Sequence, residues 1–301
     1  APGWHLECSV MSEALLGLPF DIHTGGIDHR EIHHPNEIAQ NQARCGGDHS
    51  GAQFWMHNNF LIERSGKMSK SSGEFLRVQL LIDKGFHPLA YRLMCLQAHY
   101  RSELEFSWEG LQAAFVRLKR LVMAVSNLKT RHADAQTRHA DTQPRHAELV
   151  SASIVPHKPM VEADTWTLKQ VQGDVAPAIS AALNDFAAAV SDDLNTAIAI
   201  TSLETLIGLK KVDAAQHLAA IAEMDAVLGL NLMTLTRQDL RVRPKAAVIT
   251  ETEIETALLL RKDARAAKDF AKSDAIRDDL IAKGVEVMDG DPLGWDWKLD
   301  I

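Results

Sequence analysis

The chain has 301 residues, 46% of them hydrophobic and 24% charged, with a formal net charge of −8 at pH 7. That length suits two or three domains of roughly 150 residues, and the acidic balance argues against nonspecific binding to polyanions while leaving room for a local basic patch. Three well-separated cysteines (Cys8, Cys45 and Cys95) argue against a disulfide framework and for a reducing compartment, and no apolar run of about 18 residues exists that could span a bilayer. The opening Ala1-Pro2-Gly3-Trp4 carries neither an initiator Met nor the regions of a signal peptide, so the chain is expected to begin inside something longer.

Taken in order, Glu7 to Gly17 places Cys8, Met11, Ala14 and Leu15 on one helical face, with Gly17 as the C-cap. Phe20-Asp21-Ile22-His23 reads as a short buried strand ending at Gly25-Gly26, with Asp28 beyond. A strand opening into paired glycines is how an α/β sheet brings its backbone close to a nucleotide. His33-His34-Pro35-Asn36-Glu37 opens a helix reaching about Cys45, with Pro35 in its first turn. His33 and Glu37, four apart, share a face of it. With Cys8 they offer sulfur, nitrogen and oxygen donors suited to Zn²⁺; the spacing is equally that of a small core cysteine beside a surface pair.

Ala52–Glu63 reads as one further strand leading into Gly66-Lys67-Met68-Ser69-Lys70-Ser71. The two lysines of that loop can reach a triphosphate from one side, although a motif this short also describes an ordinary solvated loop. Helical segments follow near Arg77–Lys84 and Pro88–Gln97, then a longer helix from Trp108 to about Leu128. Residues 130–174 differ in texture. Thr130-Arg131-His132-Ala133-Asp134 recurs as Thr137-Arg138-His139-Ala140-Asp141 and decays into Pro144-Arg145-His146-Ala147-Glu148, a seven-residue repeat without a coiled-coil seam. The segment is expected to be a disordered insertion between two helices. Ile179, Leu183, Phe186 and Val190 then form a helical stripe, Asp192 to Thr196 caps a helix running to about Leu209, and Ala214–Leu228 forms a third. Arg241–Ala246 is a linker. Two charged helices, Thr252–Ala267 and Phe270–Lys283, and a hairpin of Gly284–Met288 with Gly294–Trp297 close the chain.

The ordered series Gly3-Trp4-His5-Leu6-Glu7-Cys8-Ser9, Phe20-Asp21-Ile22-His23, Gly25-Gly26-Ile27-Asp28, His33-His34-Pro35-Asn36-Glu37-Ile38-Ala39-Gln40, Trp55-Met56-His57-Asn58, Lys67–Ser71 and Ala98-His99-Tyr100-Arg101-Ser102 closely resembles the cysteinyl-tRNA synthetases, a class I family. The resemblance covers about residues 1–128 and 175–301. It implies an α/β plus all-α protein. Residues 1–107 would be the C-terminal half of a Rossmann-type nucleotide-binding catalytic domain, 108–243 a helical anticodon-binding bundle interrupted by the 130–174 insertion, and 244–301 a small tRNA-contacting domain.

The same resemblance implies zinc on Cys8, His33 and Glu37, one ion per chain, with a fourth ligand from an absent N-terminal half. It places Trp4 and His23 near the amino acid, and Gly25, Gly26 and Asp28 near adenosine. Lys67 and Lys70 would belong to the signature loop, Lys70 acting on ATP bound with Mg²⁺. The implied partners are L-cysteine, ATP and tRNA(Cys), for a cytoplasmic monomer without a membrane anchor. Pro35 and Thr24 depart from the family pattern, as do Ser72 and Glu74 just after the loop. The chain by itself is expected to show no cysteine-dependent ATP–pyrophosphate exchange. Two alternatives are a non-catalytic tRNA-binding fragment and a ligase joining cysteine to an amino sugar, the latter disfavoured by residues 175–301. Trp297 would either stack on a base or pack the last small core.

Overall fold

The structure is a computed structural model that describes residues 3–47, 49–63, 77–142, 175–291 and 293–299. Its first unit runs α1 (Trp4–Leu16), β1 (Phe20–Gly26), a 3-10 turn (Ile27–His29), α2 (His33–Arg44) and β2 (Ala52–Asn58). β1 and β2 pair in parallel, from Phe20 opposite Ala52 to Gly26 opposite Asn58, with α2 as the crossover, since parallel neighbours cannot be joined by a tight turn. α1 ends at Gly17, whose φ of +76° suits a residue without Cβ.

Two expectations change here. Only Phe20 of its strand is buried; Ile22, two residues on and therefore on the same side of the ribbon, is 55% exposed, so that side is covered only at the start of the strand. On α1, Met11 and Leu15 point outward (53% and 81% exposed), and Ser9 is the buried position. The α1–α2 contact is polar: the Ser9 hydroxyl donates to Gln40 Oε1 at 2.9 Å, and Gln40 Nε2 meets His5 Nδ1 at 2.8 Å.

The 52–63 segment is two strands. β2 stops at Asn58, and β3 (Leu61–Glu63) instead pairs in parallel with β4 (Leu104–Phe106). The Asn59 N–H donates to the Tyr100 carbonyl at 2.8 Å, which turns the chain between the two ribbons. Between them lie α3 (Val78–Asp83) and α4 (Pro88–Leu96), the latter started by His87, whose ring accepts from the Leu89 N–H, with Pro88 in the first turn.

α5 (Trp108–Thr142) extends well past Leu128. The first two repeat copies therefore continue a helix rather than open an insertion. Their alanines favour helix, and the Thr130 and Thr137 hydroxyls bond back to the Ser126 and Ala133 carbonyls. Residues 143–174, the remainder of the expected insertion, lie outside the described residues.

α6 (Pro177–Ser191), α7 (Thr196–Ile207) and α8 (Ala214–Leu228) lie at the expected positions and pack on one another, with α7 and α8 also against α5. Asn195 and Asp213 cap α7 and α8 by accepting from the N–H groups of Ile198 and Gln216. The core they enclose includes Phe86, Leu93, Leu111, Phe115, Ile200 and Leu203 and spans Leu81 to Leu240, so α3 and α4 share it with the bundle. Buried Asp225 closes the end of α8, accepting from the Leu230 and Leu232 N–H groups at 2.9 and 2.6 Å.

The terminal module comprises α9 (Glu251–Ala266), α10 (Phe270–Ala282) and the antiparallel pair β5 (Val285–Val287) and β6 (Trp295–Trp297). Thr250 and Glu253 form a capping box at its entry. Ile249, Ile254, Leu280, Val285, Trp295 and Trp297 make a second core. Trp297 is 3% exposed, so it packs that core and offers no face to a base. Among the described residues no helix is long and apolar enough to cross a membrane.

Candidate metal and nucleotide site

β1, its glycine end and the start of α2 bring the histidines together. Starting α2 at His33 puts Glu37 one turn on, and the His33 Nε2 to Glu37 Oε1 distance is 2.7 Å. The other carboxyl oxygen, Oε2, lies 2.9 Å from His23 Nε2 on β1. Glu37 is only 1% exposed, and burial pushes its carboxyl up to about 7. Burial and the neighbouring imidazoles push His23 and His33 down, and carry His34 down to about 4. The group therefore favours neutral imidazoles around a costly carboxylate.

Cys8 reaches in from α1. Its sulfur, a His33 ring nitrogen and a Glu37 oxygen all lie within 4.8 Å of one another. Burial, then Glu37 and Glu7, push its thiol up. Zinc bonds of about 2.0–2.3 Å require tetrahedral ligands to stand roughly 3.3–3.8 Å apart, so these three donors lie within small shifts of the required spacing. One observation tests the fit. Glu37 Oε1 is fully buried yet has no hydrogen bond, although His33 Nε2 stands 2.7 Å away. The distance is that of a pair, but the ring N–H does not aim at the oxygen. A buried, unsatisfied carboxylate oxygen beside a thiol and an imidazole is what a borderline cation would satisfy. The donors fit zinc.

Sequence reasoning did not find the rest of the cluster. His34 is 3% exposed and shares a 2.8 Å hydrogen bond between its Nδ1 and His57 Nε2. Register explains this: β2 sets Trp55 opposite His23 and His57 opposite Gly25. Both alternate residues then face α2, and the Trp55 ring lies 4.8 Å from that of His23. Only the parallel pairing reveals it; the spacing within each strand does not.

The glycines have a local reason as well. A Cβ on Gly25 would stand 2.8 Å from His34 Cε1 and 3.0 Å from His29 Nδ1, and one on Gly26 would collide with the Asp28 carboxylate. Gly25→Ala is expected to displace the His34 ring and destabilise the protein by about 1–3 kcal/mol. An unchanged melting temperature would count against this packing. Asp28 is exposed in the turn, and Trp4 at the start of α1 is 80% exposed. Lys67 and Lys70 lie outside the described residues.

Residues 1–116 match the family described as tRNA synthetases class I (C) catalytic domain. The cysteine–tRNA ligase of Novosphingobium aromaticivorans is 62% identical over 305 residues, covering 99% of this chain and 55% of that protein. The cysteine–tRNA ligase of Zymomonas mobilis is 50% identical, with 99% of this chain and 57% of that protein covered. That of Treponema denticola is 35% identical, with 96% and 54% covered. The chain spans about half the length of the curated relatives it matches. In its site, in the catalytic-domain match over residues 1–116 and along nearly its whole length, the chain is similar to the cysteine–tRNA ligases.

Proposed function

We propose that the protein containing this chain activates L-cysteine with ATP and Mg²⁺ to cysteinyl-adenylate and transfers the cysteine to tRNA(Cys), acting as a cytoplasmic monomer. The observation that carries this reading is the convergence of Cys8, His33 and Glu37 on one point, with a buried unsatisfied oxygen among them. Cys8, His33 and Glu37, with a fourth ligand from outside the described residues, would hold a single zinc ion, which would supply a borderline-soft Lewis acid that prefers a thiolate to the serine hydroxyl. His23, 2.9 Å from Glu37, joins that metal-ligand set to the amino-acid pocket, which Trp4 would close.

The backbone at Gly25 and Gly26, with Asp28, would take the adenosine. Lys67 and Lys70 would approach the phosphates, where Lys70 stabilises the charge that develops as the cysteine carboxylate attacks the α-phosphorus and pyrophosphate leaves. No side-chain nucleophile is needed. The division into a catalytic part (1–107), an anticodon-reading bundle (108–243) and a tRNA-contacting module (244–301) belongs to the same proposal. The amino sugar ligase alternative is disfavoured because the likeness to cysteine–tRNA ligases runs through 99% of the chain.

The test is cysteine-dependent ATP–pyrophosphate exchange by the native protein isolated from its source cells. Serine is expected to support exchange at least about 10⁴-fold less well, since a site built around one polar partner rejects the analogue lacking it. Absence of exchange above background with cysteine present would overturn the reading in favour of non-catalytic tRNA binding.

A further inference from the structure

The first unit of the chain, which carries the metal and nucleotide site, lies outside the core of the helical part. That core spans Leu81 to Leu240, and among the described residues α1, β1, α2 and β2 contribute nothing to it. The chain passes between the two parts at Asn59, just beyond the end of β2. The Asn59 N–H donates to the Tyr100 carbonyl at 2.8 Å, and its side-chain amide donates to the Arg101 carbonyl at 3.1 Å. The same two residues reach the other way with their side chains, to Asp193 in the turn between α6 and α7. The Tyr100 hydroxyl donates to Asp193 Oδ1 at 2.7 Å, and the Arg101 guanidinium donates to both carboxylate oxygens. The His99 ring meets the Asp193 carbonyl at 3.0 Å and stacks on Tyr100, centroids 4.9 Å apart.

We propose that Asp193 is a positioning residue for transfer to tRNA: through Tyr100, Arg101 and Asn59 it fixes the site-bearing unit against the helical bundle.

Two observations carry this. The latch is exposed, with the Asp193 side chain at 44% and that of Arg101 at 60%, so it adds little to stability. A forked, charge-assisted pair is nonetheless specific in geometry, so what it supplies is orientation. The backbone also departs from its ordinary range to present that carboxylate. Asp193 and Leu194 are consecutive residues with φ of +51° and +57°, a region that a bulky leucine adopts only at a cost. The proposal rests on the ligase reading, in which the adenylate forms within the catalytic part, whereas transfer needs a tRNA held by the bundle to meet it.

The experiment compares Asp193→Ala with its parent in the native full-length protein. Cysteine-dependent exchange should stay within about twofold and the melting midpoint within about 4 °C. The single-turnover rate of transfer at saturating tRNA should fall more than about tenfold, since a misplacement of about 1 Å can cost about 100-fold, while the tRNA concentration giving half that rate stays within about threefold. Arg101→Ala should show the same loss, and the double variant no more than either alone, as residues acting as a unit do. Unchanged transfer in Asp193→Ala overturns the proposal. So does an equal loss of exchange and transfer, which would make Asp193 a residue of the fold. If Asp193→Ala does not fold, Arg101→Ala decides by the same readings. Absence of exchange in the parent removes the ligase reading, and the proposal with it.

Discussion

Glu37→Gln is expected to lower zinc affinity by more than about 100-fold, beyond the 10–100-fold typical when only an outer partner of a ligand is lost. Glu37 is the carboxylate of the donor set, so no compensating arrangement of Cys8, His23, His33 and His34 replaces it. The same change should leave the metal-free fold within about 1 kcal/mol of the parent. Glutamine keeps the shape, and it removes a carboxyl whose burial already disfavours its charge, pushing it up to about 7. Zinc content after dialysis against a weak chelator, read beside a melt of the metal-free protein, separates the two effects. Zinc retention equal to the parent's would show that Glu37 is a structural residue.

Asp296→Ala is expected to cost about 3 kcal/mol and to loosen the terminal module from α5. Asp296 Oδ2 accepts from Lys119 Nζ at 2.7 Å and Arg237 Nη1 at 2.8 Å, while Oδ1 accepts from the Trp297 N–H at 2.9 Å. Its side chain is 6% exposed, with Lys119 at 17% and Arg237 at 16%. Removing the acceptor strands two half-buried cations, the situation in which breaking a buried pair costs about 3–5 kcal/mol. The midpoint of urea unfolding should fall, and proteolysis should enter near the linker before α9. An unchanged midpoint would mean that the second core and the Arg241–Trp295 stack, 3.8 Å apart, dock the module unaided.

The same contacts set an acid limit. Burial pushes the Asp296 carboxyl up, but the hydrogen bonds and charges of Lys119 and Arg237 outweigh it and hold the group below the usual carboxylate range. Asp289, hydrogen-bonded by Arg261 and Arg265, is held at about 2. A carboxyl lowered in the folded state contributes stability above its unfolded value near 4 and loses it as pH falls through the folded value. Docking through Asp296 should therefore weaken as pH falls below about 4, and the module itself should lose its Asp289 contacts toward pH 2, both seen as shifts of the Trp295 and Trp297 indole resonances. From pH 5 to 8 these two carboxylates contribute constantly.

Much of the helical architecture was legible because it rests on periodicity. α8 begins at Ala214 and ends at Leu228, as expected for the third helix, and the stripe of Ile179 and Phe186 is buried. The strands were harder, because a short apolar run does not say where pairing stops. Ala52–Glu63 divides between two ribbons at Asn58, where the partner of β2 ends. α5 ran on through Thr142 because alanine-rich repeats sustain a helix even where no face is apolar.

By itself the sequence determined that His33 and Glu37 meet on α2, since residues four apart share a face of any helix, and it singled out Cys8 beside them as a candidate ligand. It also determined the helices whose apolar residues recur every turn. The tertiary structure alone decided that Glu37 is buried with one oxygen toward each of two histidines. It also decided that His34 and His57 join the cluster, that Trp297 lies inside a core, and that Asp296 ties the terminal module to α5. The physical reason is the range of each constraint. Helical contacts are set by neighbours three or four residues away, whereas parallel register and the pairing of charges 177 residues apart follow from how separate elements pack.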